Sequence, residues 1–510
     1  MLSFLSSCSP KQQRKAAAKT TTAPSPLVTP KIDPNMSAFD KIFEYVDANE
    51  KYYIDRLAEV VAIPSVSAEA ARRPDVVRMG EWLVKELKAL GATVNVHHPG
   101  KQTIEGQQLD LPPIVLGTYG TDPAKKTICV YGHYDVQPAA REDGWDTDPW
   151  TLVEDAKGRL IGRGSTDDKG PVISWLWVIA AHQKLGLDMP VNLKMCFEGM
   201  EESGSEGLDE FIIAEAKGDF FKDVDAVCIS DSYWLGTKKP CLTYGLRGVS
   251  YFMVEVSGPG KDLHSGVFGG VVHEPMSDLF AVISKLVSAD GKILIPGIYD
   301  DVAPVTDAED KMYGTLDFSL NDIHEAVDSK VTIHKSEKEA LMARWRYPSL
   351  SIHGIEGAFS SPGSKTVIPA KVIGKFSIRS VPNMEPAKIS ELVKTFVNAE
   401  FKKIGSKNTL SIDCGHAGKA WVADTNHYNY VAAEKAVERV FKVKPDFIRE
   451  GGSIPVTLTF QDALQTNVLL LPMGRSDDGA HSTGEKIDKE NYIGGIKLLA
   501  AYLHEIALVA

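Results

Sequence analysis

Short apolar runs alternate with amphipathic helical patterns over much of this 510-residue chain. Strand-like runs at residues 127–131, 191–197 and 226–230 are separated by helical patterns at about 172–185 and 206–215. Because strands joined through a helix run parallel when they neighbour one another, this order predicts an α/β fold with a mostly parallel sheet flanked by helices. Ligand sites of such sheets form beyond the carboxyl ends of the strands.

The pattern differs between about residues 243 and 421. Residues 250–256 and 372–378 alternate as half-exposed strands, and residues 275–287 and 389–401 show amphipathic helical patterns. Strands and helices in this mixed order predict a separate α+β domain with one exposed sheet face.

After residue 421 the α/β pattern resumes with a helix, an apolar strand and a final helix, at residues 430–441, 467–471 and 492–508. We therefore predict one α/β domain formed by residues 39–241 and 418–510 and split by an inserted domain at residues 242–417. Two amphipathic helical stripes between residues 38 and 90 begin its first part.

Residues 1–38 differ in composition from the rest of the chain. No acidic residue precedes Asp33, and the segment contains the basic residues Lys11, Arg14, Lys15, Lys19 and Lys31. We predict a flexible basic extension, with a mitochondrial transit peptide as the alternative. The sequence leaves open whether translation can start at Met36.

Composition limits the partners of the chain. A net charge of −12 argues against nucleic acid or an anionic membrane as the main partner. No apolar run approaches the length of about 20 residues that a membrane span needs. The six cysteines include no CxxC pair, and Cys129, Cys196 and Cys228 lie in apolar runs, which suits a reducing compartment.

An imidazole and a carboxylate directly follow the run at residues 127–131. Alternating side-chain directions put His133 and Asp135 on the same side of the chain, within hydrogen-bonding reach. A carboxylate commonly orients a metal-binding histidine in this way, although a polar loop cap explains the stretch equally well when it is considered alone.

Other acids and a second histidine lie in loops after buried runs. They are Asp167, the doublet Glu201 and Glu202, Asp231, and His481. Two imidazoles and three carboxylates suit a divalent cation such as zinc or manganese. Five protein ligands exceed what one catalytic zinc usually takes, and a carboxylate shared by two ions resolves the excess. One acid of the doublet can bind metal while its neighbour accepts a proton from water.

Structural alternatives exist for each of these acids. Asp167 and Asp168 can cap a helix ahead of Pro171, because aspartate commonly accepts the first free N–H groups. The acidic doublet can be a solvated loop, and Asp231 can be a turn residue.

Six segments together resemble a known family: residues 131–136, 164–170, 198–207, 230–234, 263–266 and 479–481. They are similar to the M20 family of metallopeptidases, in particular to its branch of cytosolic non-specific dipeptidases and carnosinases. The resemblance extends from about Met36 to the C-terminus. It implies a split catalytic domain with an inserted lid that also forms a homodimer, and a cytoplasmic location.

The resemblance also implies two divalent metal ions per subunit, manganese or zinc. The implied ligands are Asp167 as the bridge between the ions, His133 and Asp231 for one ion, and Glu202 and His481 for the other. Glu201 would be the general base, and Asp135 would orient His133.

Five further residues match substrate-binding positions of the family: His264, Thr366, Arg379, His416 and Ser453. His264 would reach the active site of the partner subunit and stabilise the oxyanion. Arg379 and His416 would hold the substrate's C-terminal carboxylate. The guanidinium of Arg379 suits this role because it can donate two parallel hydrogen bonds to a carboxylate. Without the family, His264 is more typical of a structural residue and Arg379 of a sheet-face salt bridge.

The function implied is the hydrolysis of dipeptides with a free C-terminal carboxylate, such as Cys-Gly or carnosine-like dipeptides. A related amidohydrolase, such as an aminoacylase or a carboxypeptidase, is the alternative among enzymes. A non-catalytic binding or scaffold protein is the alternative of another class, although neither a ligand nor the base is missing. The sequence does not choose between manganese and zinc or rank the dipeptides.

Overall fold

The computed structural model describes residues 24–33, 35–327 and 329–509, so residues 1–23 and Pro34 of the predicted flexible extension lie outside the described residues. The part of the extension that is described contacts the folded chain. The N–H and Oγ–H of Ser25 donate to Asp55 Oδ2 at 2.9 and 2.7 Å. Both backbone groups of Val28 bond the side-chain amide of Asn49, at 2.7 and 2.8 Å.

Among the residues that the structure describes, every helix is too short or too polar to cross a membrane. The helices are α1 (Ala38–Ala48), α2 (Glu50–Val61), α3 (Arg73–Ala89), α4 (Lys169–Leu185), α5 (Leu208–Glu215), α6 (Ser265–Phe268), α7 (Pro275–Ile283), α8 (Asp307–Tyr313), α9 (Leu320–Ala326), α10 (Glu337–Trp345), α11 (Pro386–Ile404), α12 (Tyr428–Phe441), α13 (Pro455–Leu464) and α14 (Lys489–Leu508).

The strands form one large sheet and several smaller ones. They are β1 (Thr93–His97), β2 (Lys101–Ile104), β3 (Gln107–Asp110), β4 (Ile114–Tyr119), β5 (Thr127–His133), β6 (Val153–Glu154), β7 (Arg159–Ile161), β8 (Asn192–Glu198), β9 (Ala226–Ile229), β10 (Cys241–Leu246), β11 (Gly248–Ser257), β12 (Leu263–His264), β13 (Ser349–Glu356), β14 (Val367–Ile368), β15 (Lys371–Ser380), β16 (Thr409–Gly418), β17 (Trp421–Val422), β18 (Asp446–Glu450), β19 (Val468–Leu470) and β20 (Lys486–Asp488).

The large sheet has the strand order β1-β4-β8-β5-β9-β19-β10-β17, with β18 beside β10. Its central strands β8, β5, β9 and β19 run parallel to one another. Antiparallel strands complete both sides. The predicted α/β fold with a mostly parallel sheet flanked by helices is confirmed, and the antiparallel flanks are an addition that the strand–helix alternation did not predict.

Helices cover the centre of this sheet. Every residue of β5 and β8 is buried, as expected for parallel strands with helices on both faces. Helix α4 is buried along most of its length, with Trp175 and Trp177 in the core, and packs against α1, α2 and α14. The strand ends that bear the candidate site are therefore held by the largest core of the molecule.

Three α-helices, rather than the two predicted, lie between residues 38 and 90. The first predicted stripe is divided at Asn49, where the side-chain amide donates to the carbonyls of Tyr45 and Val28. An asparagine that bonds nearby backbone in this way competes with helix continuation.

A second sheet, antiparallel and four-stranded, lies in the predicted insertion, with the order β13-β15-β11-β16. Buried and half-exposed residues alternate along β11. The buried face, which includes Phe252 and Phe376, packs with Leu279 of α7 and Val393 of α11. A sheet with helices on one face and a half-exposed opposite face confirms the predicted α+β insertion.

Helices α8 and α10 belong to the insertion in sequence but pack against the catalytic part. Tyr313 and Trp345 share a core with Trp234, Cys241 and Ile448, which lie after β9, in β10 and in β18. The insertion is thus joined to the catalytic part by apolar packing as well as by the two chain crossings. The exact domain boundaries stay a prediction.

Candidate metal centre and substrate site

The candidate metal ligands gather where the parallel strands end. His133 ends β5, the doublet at residues 201–202 follows β8, and Asp231 follows β9. Because β8, β5 and β9 are parallel neighbours, these side chains share one edge of the sheet. Asp167 lies just before α4, and His481 lies in the loop between β19 and β20.

Two overlapping groups of ligand-type atoms form at this edge. His133, Asp167 and Asp231 make one group and Asp167, Glu202 and His481 the other, with the ligand atoms of each group within 4.8 Å of one another. Asp167 Oδ1 lies 3.1 Å from His133 Nε2, and Asp167 Oδ2 lies 3.1 Å from His481 Nε2. Glu202 Oε2 is also 3.1 Å from His481 Nε2. The structure therefore brings together all five predicted ligands.

Asp135 connects His133 with the acidic doublet. One carboxylate oxygen of Asp135 lies 3.4 Å from His133 Nδ1, and its backbone oxygen lies 3.1 Å from the same nitrogen. The backbone N–H groups of Glu201 and Glu202 donate to the Asp135 carboxylate at 3.2 and 3.1 Å. This geometry lets one buried carboxylate orient an imidazole and position two neighbouring acids.

Burial and the close spacing of charged groups shift the pKa values of several site residues. Burial raises the pKa of Asp231 to about 7 and, with the repulsion of Asp231 and Glu202, raises the pKa of Glu201 well above its usual range despite the attraction of His133. Hydrogen bonds with Asp167 and Glu202 raise the pKa of His481 to about 11. In the protein without metal, these side chains therefore bind protons more readily than they would in water.

The donor set fits divalent cations. Four carboxylates lie close together here, those of Asp135, Asp167, Glu202 and Asp231. In the two ligand groups at this edge of the sheet, among the described residues, only the imidazoles of His133 and His481 can carry a positive charge. Buried carboxylates require compensating positive charge. Imidazole nitrogens and carboxylate oxygens are ligands that zinc and manganese both accept. The residues present therefore suit divalent metal.

Residues outside the predicted set support these ligands. Gln137 Nε2 donates to Glu202 Oε2 at 2.7 Å. The buried carboxylate of Glu485 accepts three backbone N–H groups from the loop that carries Asp167. Glu485 follows His481 by four residues in a polar loop and belongs to no recognised motif, so only the tertiary contacts identify it.

His264 and Thr366 lie together in the insertion. β12, which ends at His264, pairs with β14, which begins just after Thr366, and the N–H of Ser265 donates to the Thr366 carbonyl at 3.2 Å. His264 is exposed, and its Nδ1 accepts the N–H of Gly266 at 3.0 Å. Among the described residues, neither His264 nor Thr366 bonds to the candidate metal ligands.

The other three predicted substrate residues lie where the insertion meets the catalytic part. Arg379 Nη1 donates to Ser453 Oγ at 2.8 Å, and Ser453 Oγ donates to the carbonyl of Arg247 at 2.5 Å. Arg247 is the residue between β10 and β11, where the chain enters the insertion. Ser453 and the exposed His416 line one cleft of about 180 Å³. Ser453 is thus engaged in holding Arg379.

Two histidine–carboxylate groups at the edge of a mostly parallel sheet, beside an inserted α+β domain, form a site typical of metal-dependent enzymes. The family model described as Peptidase family M20/M25/M40 matches residues 129–505, and the chain belongs to this family.

Relatives of known activity match nearly the whole chain. Cys-Gly metallodipeptidase dug1 of Schizosaccharomyces pombe is 56% identical over 473 residues, covering 93% of this chain and 99% of that protein. Beta-Ala-His dipeptidase of Homo sapiens is 45% identical, covering 93% and 94%.

Solved structures agree with this relationship. The di-peptidase Dug1p from Saccharomyces cerevisiae superposes with a TM-score of 0.88 at 52% identity, covering 92% of this chain and 99% of that one. Human carnosine dipeptidase 1 superposes with a TM-score of 0.87 at 44% identity, covering 93% and 100%. The chain is accordingly a hydrolase, a metal-dependent dipeptidase that binds divalent metal.

Proposed function

We propose that this protein is a dinuclear dipeptidase that hydrolyses dipeptides with a free C-terminal carboxylate, Cys-Gly and carnosine-like dipeptides among them. The observation that carries the proposal is the position of Asp167, whose two oxygens each lie 3.1 Å from a different histidine. A carboxylate that faces two ligand groups is suited to bridge two ions.

The five ligand-type residues would hold two divalent ions, with manganese and zinc both compatible with the donors. Such ions supply Lewis-acid polarisation of the peptide carbonyl and lower the pKa of water. His133, Asp167 and Asp231 would hold one ion, and Asp167, Glu202 and His481 the other.

In our proposal Glu201 is the general base. Its carboxylate takes the proton from the attacking water and later gives it to the leaving amine nitrogen. Neighbouring cations would lower the pKa of Glu201, which burial and the surrounding acids raise in the protein alone, and so keep it able to accept a proton. The hydrogen bond from the Glu201 N–H to Asp135 supports a defined position for this residue.

Substrate binding would use both parts of the chain. Arg379 and His416 would hold the C-terminal carboxylate, and Ser453 would keep the guanidinium of Arg379 in place. Thr366 would make a further substrate contact. His264 of the partner subunit would stabilise the developing oxyanion in a homodimer.

Exposed apolar side chains next to His264 support the homodimer. Val267, Phe268 and Val271 are 63%, 37% and 75% exposed. Neighbouring exposed apolar residues are typical of protein–protein contact surfaces.

We also propose a cytoplasmic location, which the buried free thiols of Cys129 and Cys196 support, with mitochondria as the alternative if residues 1–38 act as a transit peptide.

Glu201→Gln tests the assignment directly. We expect turnover of Cys-Gly to fall by about 10²–10⁴-fold, because the amide cannot accept the proton, while two ions per chain are retained. Metal analysis and hydrolysis rates of the protein reconstituted separately with Mn²⁺ and Zn²⁺ measure both quantities. Glu210→Gln, at an exposed position of α5, is the matched control and should leave both unchanged. Normal turnover in Glu201→Gln would exclude Glu201 as the base.

A substrate panel tests the class of reaction. We compare dipeptides, tripeptides and N-acyl amino acids under the same conditions, because neighbouring hydrolase activities differ in how the pocket walls discriminate between substrates. Preferential cleavage of dipeptides supports the proposal. Preferential cleavage of N-acyl amino acids or of longer peptides would replace it with an aminoacylase or carboxypeptidase activity.

A further inference from the structure

The carboxylate of Glu485 is completely buried between two loops of the candidate metal centre. Its Oε1 accepts the backbone N–H groups of Thr166 and Asp167, each at 3.1 Å, and both of its oxygens lie 3.1 Å from the N–H of Gly164. Its Oε2 pairs with Arg163 Nη1 at 2.7 Å. One side chain from the His481 loop thus holds the backbone of the loop that presents Asp167.

Further bonds join the same two loops. Arg163 Nη2 donates to the carbonyl of Ser482, next to His481, at 3.2 Å. Thr166 Oγ1 donates to Asp478 Oδ2 at 2.8 Å. Asp478 in turn accepts from Lys486 Nζ at 2.6 Å. The contacts extend along both loops, with Glu485 making the largest number of them.

These loops need such support because neither Asp167 nor His481 lies within a helix or strand. His481 has a φ of 62°, in the left-handed region that non-glycine residues adopt only when the surrounding structure holds them there. Its side chain is 58% exposed, so little packing restrains it. The distance from His481 to Asp167 therefore depends on how the loop backbones are held.

We propose that Glu485 is a positioning residue that fixes the Asp167 loop against the His481 loop and thereby sets the affinity of the ion that these two residues share with Glu202. The inference rests on the proposed two-ion centre. Groups that hold metal ligands in orientation commonly change metal affinity or activity by about 10–100-fold when they are replaced.

Glu485→Gln tests this role, since the amide keeps the size of the side chain but cannot accept hydrogen bonds with both of its terminal atoms. Glu490→Gln is the matched control, because Glu490 lies in the adjacent helix with its side chain 85% exposed. Metal-free proteins are titrated with Zn²⁺ or Mn²⁺ alone in a calorimeter. We expect one of the two binding steps to weaken by about 10–100-fold in Glu485→Gln and neither to change in Glu490→Gln.

Kinetics provide a second readout. Activity of Glu485→Gln should recover as the metal concentration is raised, with the KM for Cys-Gly unchanged, because the substrate-binding residues are untouched. If Glu485 had a merely structural role, its replacement would lower the fraction of folded protein without weakening one metal-binding step. Circular dichroism of the same samples measures the folded fraction.

The outcomes separate the inference from the proposed function. If wild-type protein does not bind two ions, the proposed dinuclear centre is wrong. If wild-type protein binds two ions and Glu485→Gln binds both with unchanged affinity, Glu485 does not position the ligands. If Glu485→Gln does not fold, Glu485→Asp keeps the buried charge but shortens the side chain by one methylene, so that its carboxylate cannot make all of these bonds. Weaker binding of one ion is then expected, and unchanged binding of both ions would overturn the inference.

Discussion

Asp167 contacts two histidines whose surroundings differ. His133 is fully buried with Asp135 at its other ring nitrogen, whereas the His481 side chain is 58% exposed. With a pKa raised to about 11 by its hydrogen bonds to Asp167 and Glu202, His481 carries a proton at neutral pH in the absence of metal. Burial raises the pKa of Asp231 to about 7, so this carboxyl binds a proton more readily than an exposed aspartate does.

Metal binding should therefore release protons, because cations and protons compete for the same atoms. The proton on His481 stabilises the metal-free fold below pH 6.5, and this contribution is lost as the pH rises towards about 11. The proton on Asp231 likewise stabilises the metal-free fold. This stabilisation is fully present below pH 3.8 and is lost as the pH rises through about 7. These two groups accordingly favour metal binding more strongly at higher pH.

Calorimetric titration with Zn²⁺ at pH 7, in two buffers with different ionisation enthalpies, measures the number of protons released. We expect net release at pH 7 and a metal affinity that increases from about pH 6 to about pH 8. Net uptake of protons, or an affinity that falls over this range, would contradict the description of the site. The same titration of Glu201→Gln shows how much of the release belongs to the base.

At the scale of elements, strand β5 and helix α4 meet closely beside the site. A Cβ at Gly132 would lie 2.5 Å from Cγ2 of Val172 and 2.6 Å from Oδ2 of Asp168. The same Asp168 oxygen accepts the N–H of His133 at 3.2 Å. The absence of a side chain at Gly132 thus allows the helix start to hold the strand end that carries His133.

Gly132→Ala should separate β5 from the start of α4. We expect the free energy of unfolding of the metal-free protein to fall by about 1–3 kcal/mol, as for other overpacked cores, and metal binding to weaken. Urea unfolding followed by circular dichroism measures the first effect and metal titration the second. Gly260→Ala, where an added Cβ meets no atom within 4 Å, is the control. Equal stability of the two variants would contradict the close contact described.

Elements whose pattern is local were predictable from the sequence. β5, α4 and β8 follow from apolar runs and helical periodicity, because burial on both faces leaves a continuous apolar strand. The antiparallel strands β1 and β4 did not follow, since no residue of β1 is buried and the strand is defined by its pairing with β4. The division of the first helical stripe at Asn49 also depends on contacts with Val28, and the helical periodicity of the sequence does not indicate such contacts.

At the scale of the whole molecule, His264 is exposed in the insertion and makes no bond to the candidate metal ligands within the described chain. Its proposed role therefore requires a second subunit. In a homodimer with exchanged histidines, each active site would combine Glu201 of one subunit with His264 of the other.

Mixing two inactive variants tests this arrangement. We expect His264→Ala and Glu201→Gln to be nearly inactive alone and to recover about a quarter of wild-type turnover after joint refolding in equal amounts, since half of the dimers are mixed and each has one complete site. Hydrolysis of Cys-Gly and sedimentation velocity are the measurements. No recovery in dimers shown to be mixed would place His264 in its own subunit's site or outside the site altogether.

The sequence by itself determined the α/β class, the presence of an α+β insertion and the identity of the residues that meet at the site, because strand ends and motif residues are local properties of the chain. Tertiary structure decided their arrangement. Only folding brings Asp167 within 3.1 Å of both His133 and His481, and only folding reveals that Glu485 holds the intervening backbone. The Asp167–His481 and Asp167–Glu485 contacts join residues more than three hundred positions apart, and they depend on strand order and loop packing rather than on any nearby pattern.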